Sequence, residues 1–411
     1  MKQDRRALIV GCGIAGPVLA VALRRAGIAA TVVEADGAPW DNEGAFLALA
    51  PNGLNVLKTL GLLEPVSEVG LPLAGMAFFN ERGRRIGTID YGDQQRLYGV
   101  ESVVIRRGDL QRVLRQLAAD QGAVVEFGRA LIDLEDDGTQ VTAHFADGSS
   151  AQADLLIGCD GIGSRTRRLV FPEAPGPVYT GVVGHGGFVR AATVAPTRGF
   201  MHMTYGRHAF FGHITAPDGM VWWFDSTAQA QAPDRRAPRA TDREALLASH
   251  RDEPEPIGTI LRAVTQPVDQ LPVFDMPSLP AWHRGRVCLL GDAAHATSPH
   301  AGQGASLAME DALVLASCLR GAADPQTGFA AYGARRRARV EHLVREARRN
   351  GERKFPSHGL ARVLRDLLMP LFLRLGARSL RTVYRWRMES EGDAPTPPKS
   401  TGLRPARGQA R

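Results

Sequence analysis

The chain has 411 residues, 44% of them apolar, which is enough for a large core and for one large α/β unit with an inserted sheet or for two or three domains. The net charge is +7, yet only four of the 50 basic residues are lysine, and there is no zinc-finger spacing, helix-turn-helix or aromatic-interleaved basic stripe, which excludes nucleic acid as a partner. Cys12, Cys159, Cys288 and Cys318 lie far apart without a CxxC pair, which excludes a metal cluster or a disulfide framework. No stretch reaches the ~18 uninterrupted apolar residues of a spanning helix, so a soluble, cytoplasmic protein is expected.

In chain order, residues 7–10 (ALIV) predict a buried strand, 14–26 a helix and 29–34 a second strand, the βαβ rhythm of a parallel sheet. The turn between the first two is GCGIAG, and Glu34 closes the second strand. Gly11 permits the tight turn, Gly13 lets a pyrophosphate approach the backbone, and Gly16 lets the helix lie close on the sheet. Ile14 and Ala15 open that helix, whose N–H groups face the phosphates. Glu34 would hold ribose hydroxyls, a pattern that suits FAD or NAD.

Leu110, Val113, Leu114 and Leu117 predict an amphipathic helix over 109–120, and "DG" pairs at 137–138 and 147–148 predict a three-stranded meander. A second strand-end carboxylate follows in DLLIGCDGIGSRTR, where Asp160 precedes Ser164 and Arg167; the alternative is a charged strand terminus. Residues 178–270 turn aromatic and β-rich, predicting an antiparallel sheet. A third strand-end acid stands in RVCLLGDAAHATSPHAGQGASLAMEDA, after which nothing is larger than histidine or glutamine as far as residue 306. Asp292 after Gly291 could accept hydrogen bonds from a polyol chain, and the small residues let a flat ring lie on the backbone. A helix from about 303 to 320 would aim its positive end at that ring, where a reduced flavin carries charge. A basic helix at about 326–350 keeps Val340, Leu343, Val344 and Ala347 on one face, and the rest is a solvated outer face.

The trio GCGIAG, GCDGIGSRTR and LLGDAAHATSPHAGQGASLAMEDA, in this order over residues ~5–350, resembles the class A FAD-dependent monooxygenases of the para-hydroxybenzoate hydroxylase type. The resemblance implies an α/β fold: a Rossmann-like FAD-binding domain with an inserted, mostly antiparallel substrate sheet and C-terminal helices. The expected division gives 1–75, 101–177 and 271–355 to FAD binding and 76–100 and 178–270 to the substrate domain. Residues 356–388 form a helical segment and 389–411 a disordered tail. It further implies non-covalent FAD, reduction by NADPH or NADH, and O₂ as co-substrate reacting through a C4a-hydroperoxyflavin. By the same resemblance Asp292 meets the ribityl chain, Asp160 and Arg167 the FAD and nicotinamide region, and Arg107 (or, in the other register, Arg106) the FAD. Pro299 lies beside the flavin ring, with Gly302, Gly304 and Ala305 in the flavin-facing loop. No second dinucleotide motif appears, which argues against Baeyer–Villiger and N-hydroxylating oxygenases, and VWWFDS at 221–226 does not match the halogenase motif.

For the substrate, Phe211, His213 and Thr215 alternate onto one face of their strand, and Trp222 and Phe224 share a face on the next. The other register runs through Phe210, Gly212 and Ile214. This content points to an electron-rich aromatic, polycyclic or indolic small molecule, in secondary metabolism or aromatic catabolism. His202, Tyr205 and His213, and near the flavin His295 and His300, are candidate substrate bases. Residues 359–388, interrupted by Pro370, carry Leu360, Val363, Leu364, Leu367 and Leu368 among arginines and allow membrane contact or a prenylated substrate as an alternative to packing on the protein. A monomer or homodimer is expected. A reductase of the geranylgeranyl reductase type and a non-catalytic scaffold like the GDP-dissociation inhibitors are the alternatives of other classes.

Overall fold

Residues 5–39, 41, 45–233, 240–352 and 359–388 are described by the computed structural model, and the expected tail 389–411 lies outside them. The apolar run Arg6–Val10 sits inside a six-stranded sheet. Across it the order is His283–Arg284, Val287–Leu289, Leu155–Gly158, Arg6–Val10, Ala29–Val33 and Val124–Glu126. Every neighbouring pair is parallel except the edge pair formed by His283–Arg284. Parallel strands buried on both faces need continuous apolar sequence, which ALIV, LLI and VCL supply. Val10 pairs with Gly158 and Gly158 with Leu289, so these three strands end side by side. Helices Ala15–Arg25, Pro51–Thr59, Arg107–Asp120 and Gly304–Gly321 pack on one another around this sheet. The meander is present as Leu131–Asp136, Val141–Phe145 and Ser150–Ala153.

The second sheet has eight strands. Along it run Leu271–Asp275, Val178–Gly184, Met220–Ala228, Ala209–Thr215, Phe200–Tyr205, Gly75–Phe79 and Arg85–Asp90, with Gly186–Arg190 also on Met220–Ala228. It is antiparallel apart from Phe200–Tyr205 against Gly75–Phe79. Its outer face, with Phe211 and Trp223 stacked at 5.7 Å, packs on helices Arg243–Ser249 and Ile257–Arg262. Its inner face, with Met201, Ile214, Trp222 and Phe224, turns toward Phe46, Ala48 and Val104 of strands Phe46–Leu49 and Val103–Arg106.

This geometry corrects the expected substrate face. Phe211 opposes Asp225, His213 opposes Trp223 and Thr215 opposes Val221, while Gly212 opposes Phe224 and Ile214 opposes Trp222. Directly opposed residues share a face. Phe211, His213 and Thr215 therefore lie on the outer face, and Trp222 and Phe224 share the inner face with Phe210, Gly212 and Ile214.

At the C-terminal end, Gly359–Tyr384 runs as one helix through Pro370, where an interruption was expected. One lost hydrogen bond is tolerated because the helix is docked, through Met369 and Leu373, over Gly87. The basic helix Pro325–Glu352 buries Val340, Leu343 and Ala347 as its periodicity demands, but it also buries Arg336.

A buried clamp holds the outer layer. Asp225 accepts from the backbone N–H of His185 at 2.6 Å, lies 3.0 Å from His185 Nδ1, and stands 3.2 Å from His250 Nε2 at the end of Arg243–Ser249. Burial opposes both charges, yet the pairing holds the Asp225 carboxyl below its ordinary 3.8 and the His250 imidazole above its ordinary 6.5. The depressed carboxyl stabilises the fold above pH 3.8 and loses that contribution as pH falls through its folded value. The raised imidazole stabilises it below pH 6.5 and loses that contribution as pH rises through its own. Urea unfolding of Asp225→Asn is expected to show a loss of about 3 kcal/mol, widest between pH 3.8 and 6.5 and narrowing above that window. A pH-independent difference would contradict the pairing.

Candidate flavin site

At the C-terminal edge of the parallel sheet, three loops start from adjacent strand ends: Gly11 after Val10, Asp160 after Gly158 and Cys159, and Gly291-Asp292 after Leu290. Backbone bonds tie them together, from Cys159 N–H to Val10 O at 2.7 Å and from Leu290 N–H to Gly158 O at 3.0 Å. The glycines here divide into two sets. A Cβ on Gly11, at φ +106°, would come within 2.5 Å of Cys159 O, and one on Gly16 would strike Gly11 O, so both are required by packing. Around Gly13 the nearest atom to a Cβ would be Gln111 Nε2 at 3.8 Å, and around Gly302 nothing would lie within 4 Å. Gly302 is in the left-handed region, which explains it locally. Gly13 has no positive φ and only Gln111 Nε2 within 4 Å, so its missing side chain leaves room for a bound group to approach the backbone.

Two helices point their starts at this edge, Ala15–Arg25 and Gly304–Gly321, and neither has a side-chain cap or an acid in its first turn. Uncapped N–H groups and a positive dipole end suit phosphates at the first and an anionic ring at the second. Glu34 accepts from the N–H groups of Cys12 at 2.7 Å and Ala35 at 2.8 Å, which fixes its carboxylate against the glycine turn. Asp292 is open to water on this edge while protein packs densely around it. That dense surround raises its carboxyl, against the lowering effect of His295 and Arg107.

Asp160 and Arg167 are committed to the protein itself. Asp160 accepts from the Ser164 hydroxyl at 2.6 Å and from the Thr166 N–H and hydroxyl at 2.9 Å, which caps helix Arg165–Val170. Arg167 is buried and donates to Ala293 O at 2.7 Å and Ile162 O at 2.6 Å. It thereby joins this loop to the residue after Asp292, and burial lowers its guanidinium below the ordinary value.

Two arginines meet where strand Val103–Arg106 runs into helix Arg107–Asp120. Arg107 acts electrostatically on Asp292. Arg106 stands opposite Phe46 and lays its guanidinium 4.4 Å from the Phe188 ring and 5.4 Å from Trp222, on the inner face of the second sheet. Sequence reasoning missed the rest of this helix face. Gln111 borders Gly13, and Arg115 makes a bidentate pair with Asp41 at 2.8 and 2.9 Å within electrostatic reach of Cys12. Their spacing of i+4 and i+8 from Arg107 was the available signal.

Beneath the loop Pro299–Gly304 lies a buried charge network that the sequence did not disclose. Asn52 Nδ2 donates to Gln303 Oε1 at 3.0 Å and to Glu310 Oε1 at 2.7 Å. Arg336 donates to Glu310 and Asp311 at 2.6 Å each, Arg339 reaches Glu310 at 2.8 Å, and His295 Nε2 lies 2.6 Å from Asp311. Burial disfavours both charges, but Arg336 and His295 hold the Asp311 carboxyl below its ordinary value, and the two acids hold Arg336 above its own. Gln303 Nε2 and Ser298 Oγ remain buried without protein partners beside this loop.

The candidate bases separate. His202 and His213 lie on the outer face, their rings 5.1 Å apart. His202 lines a cavity of about 530 Å³ with Phe79, Arg85 and Phe200. Burial and His202 push His213 down to about 3. Both stand across the sheet from the flavin site, because their strand alternation turns them that way. Tyr205 is on the inner face against Phe78 and Phe210, under Arg365, and burial raises its phenol. His295 is engaged by Asp311, and the His300 ring packs on Gly351.

A strand-end acid, two uncapped helix starts and a glycine turn left open at Gly13 define a flavin-dinucleotide-binding α/β protein. The chain belongs to the family described as "FAD binding domain", whose match spans residues 4–347. It is a flavoprotein monooxygenase, an oxidoreductase of the group acting on aromatic and heterocyclic compounds. The Stigmatella aurantiaca protein named aurachin C monooxygenase/isomerase is 32% identical over 386 residues, 93% of this chain and 99% of its own length. The 6-hydroxynicotinate 3-monooxygenase of Pseudomonas fluorescens is 30% identical over 359 residues, 84% of this chain and 91% of its own. The crystal structure of Klebsiella pneumoniae HpxO complexed with FAD and uric acid superposes with a TM-score of 0.80 at 28% identity, covering 93% of this chain and 97% of that one. The reductase and non-catalytic alternatives give way to these relatives.

Replacing Arg336 with methionine leaves Glu310 and Asp311 short of a buried counter-charge. The expected loss is about 3–5 kcal/mol of unfolding free energy, read by urea denaturation, together with a lower flavin content on purification. A variant as stable and as yellow as the parent would show that the network does not hold the loop.

Proposed function

We propose that the chain binds FAD non-covalently, takes electrons from NADPH or NADH, and uses O₂ to hydroxylate or epoxidise an electron-rich aromatic, polycyclic or indolic small molecule. The observation that carries this reading is the half-exposed aromatic wall of Phe46, Phe188 and Phe224 beside Trp222, with the Arg106 guanidinium laid over it, in a chain whose neighbouring Arg107 is within electrostatic reach of the strand-end acid Asp292. When bound, FAD would take a hydride from the nicotinamide and, once reduced, activate O₂ so that one oxygen atom goes to the substrate and the other leaves as water.

The chain's own residues bind and orient. Gly11, Gly13, Ile14, Ala15 and Gly16 form the pyrophosphate turn, Glu34 meets the adenosine ribose, and Arg107 with Gly291 and Asp292 holds the ribityl side. Pro299, Gly302, Gly304 and Ala305 form the backbone cradle for the ring, and Asp160 and Arg167 position the loop that carries Asp292. Trp222 and Phe224 line the substrate side with Phe46 and Phe188, and Tyr205 is the inner-face hydroxyl. Arg106, a half-buried cation with no acid partner among the described residues, suits an acidic or hydroxylated ring. The domain division set out above follows the same assignment. The relatives named for 6-hydroxynicotinate and the structure holding uric acid support a polar, oxygen-bearing heterocycle as one form of such a substrate. The relative named for aurachin C supports a role in secondary metabolism.

Two measurements test this. Anaerobic NADH or NADPH should bleach the flavin, and mixing with oxygenated buffer should produce a near-ultraviolet transient before oxidised flavin returns. Reoxidation without any transient, with aromatic acceptors present, would sink the monooxygenase mechanism. Asp292→Ala should weaken FAD binding by about ten- to hundredfold, followed by flavin fluorescence; unchanged affinity would remove Asp292 from the site.

A further inference from the structure

Helix Gly359–Tyr384 has two contrasting sides. One is docked. Asp366 accepts from Asn80 at 2.9 Å, Arg362 pairs with Glu81 at 3.4 Å, Arg365 lies 4.8 Å from the Tyr205 ring, and Tyr384 packs on Tyr91 and Tyr98. The other side carries Val363, Leu364, Leu367 and Leu371, each more than half exposed, with Leu367 at 73%. At 100° per residue, Val363, Leu367 and Leu371 fall on the same stripe as Arg374, Arg378, Arg381 and Arg385. The exposed stripe is therefore apolar in its first half and cationic in its second. These four arginines are exposed and form no ion pair among the described residues. Over residues 359–388 the chain has seven arginines and a single acid, Asp366, and that acid belongs to the docked side.

We propose that this stripe docks the protein on an anionic lipid surface, with the leucines in the acyl boundary and the arginines among the headgroup phosphates. The charge pattern selects this occupant. A second copy of the chain would cover the leucines but would bring the same helix face, which has no acids, to the arginine row. A bilayer with anionic headgroups satisfies both halves together. No helix among the described residues is long and apolar enough to cross a membrane, so this helix lies on the surface. Through Arg365 over Tyr205 and Leu373 over Gly87, the docked side closes one end of the inner face of the second sheet. Docking places that apolar face beside the lipid, where a membrane-dissolved substrate enters it.

The test is co-sedimentation of the full FAD-loaded chain with vesicles of phosphatidylglycerol and phosphatidylcholine, and with phosphatidylcholine alone. Binding is expected to the mixed vesicles, to weaken with added salt, and to fall about hundredfold in R374E/R378E/R381E. L367D/L371D should abolish it while flavin content and thermal unfolding stay at parental values, because both side chains are exposed. Three outcomes would overturn the proposal. One is no binding to the mixed vesicles. Another is binding that survives both sets of substitutions, including binding lost only when residues 389–411 are deleted. The third is a dimer by light scattering that L367D/L371D converts to monomer, which would assign the stripe to a second copy.

Discussion

The hydrogen-bonded register of Val10, Gly158 and Leu289 is the constraint on which the rest of the site depends. Because the three strands are parallel and adjacent, their ends leave the sheet at one edge and on one level. Loops separated by well over a hundred residues in the chain then meet there. A slip of one residue in any strand would turn its side chains to the opposite face and carry the acid or the glycine turn off that edge. Strands apolar on both faces set no register by alternation, so the close fit of Gly11 on Cys159 at the strand ends is what a slip would break.

Above this frame, the loop Pro299–Gly304 is held from below by charge. Glu310 and Asp311 stand at the middle of a buried helix, where isolated carboxylates would be strongly disfavoured. Arg336 and Arg339 from the next helix, His295 from the loop itself and Asn52 from a third segment make their burial tolerable. Such a network is a weak source of net stability and a strong source of specificity, since few arrangements satisfy all of its members. Asn52 and Gln303 pass that arrangement directly to the start of helix Gly304–Gly321.

The second sheet works through the difference between its faces. Its outer face is filled by helices and locked by the Asp225 clamp, which leaves the histidines there no route to the flavin edge. Its inner face keeps several apolar side chains partly exposed opposite the flavin unit. Arg106, at the end of its strand, lays its guanidinium over the rings of that inner face, and Arg107, which opens the following helix, is within electrostatic reach of Asp292.

Much of this was legible in the residues themselves. The strand–glycine–helix pattern around Gly11, the acids at Glu34 and Asp292, the meander and the basic helix Pro325–Glu352 follow from local rules of periodicity, turn chemistry and helix starts, whereas local rules alone predicted a break at Pro370 that the packed helix does not show. The parity of the hairpin at 217–219 was also present in principle, since a turn that opposes Thr215 to Val221 forces odd residues to face odd ones, but residue chemistry alone favoured the wrong face. What no local rule contains is partnership across the chain. That Asn52 meets Glu310, that Arg336 is buried rather than solvated with its basic neighbours, and that Arg167 serves Ala293 are decided only when distant segments are packed together. The sequence by itself determined where the strands end and which groups stand there, because those follow from interactions over a few residues. The tertiary structure alone decided which of the charged groups are buried, paired or left facing the cleft, because burial and pairing depend on neighbours that the chain brings from far away.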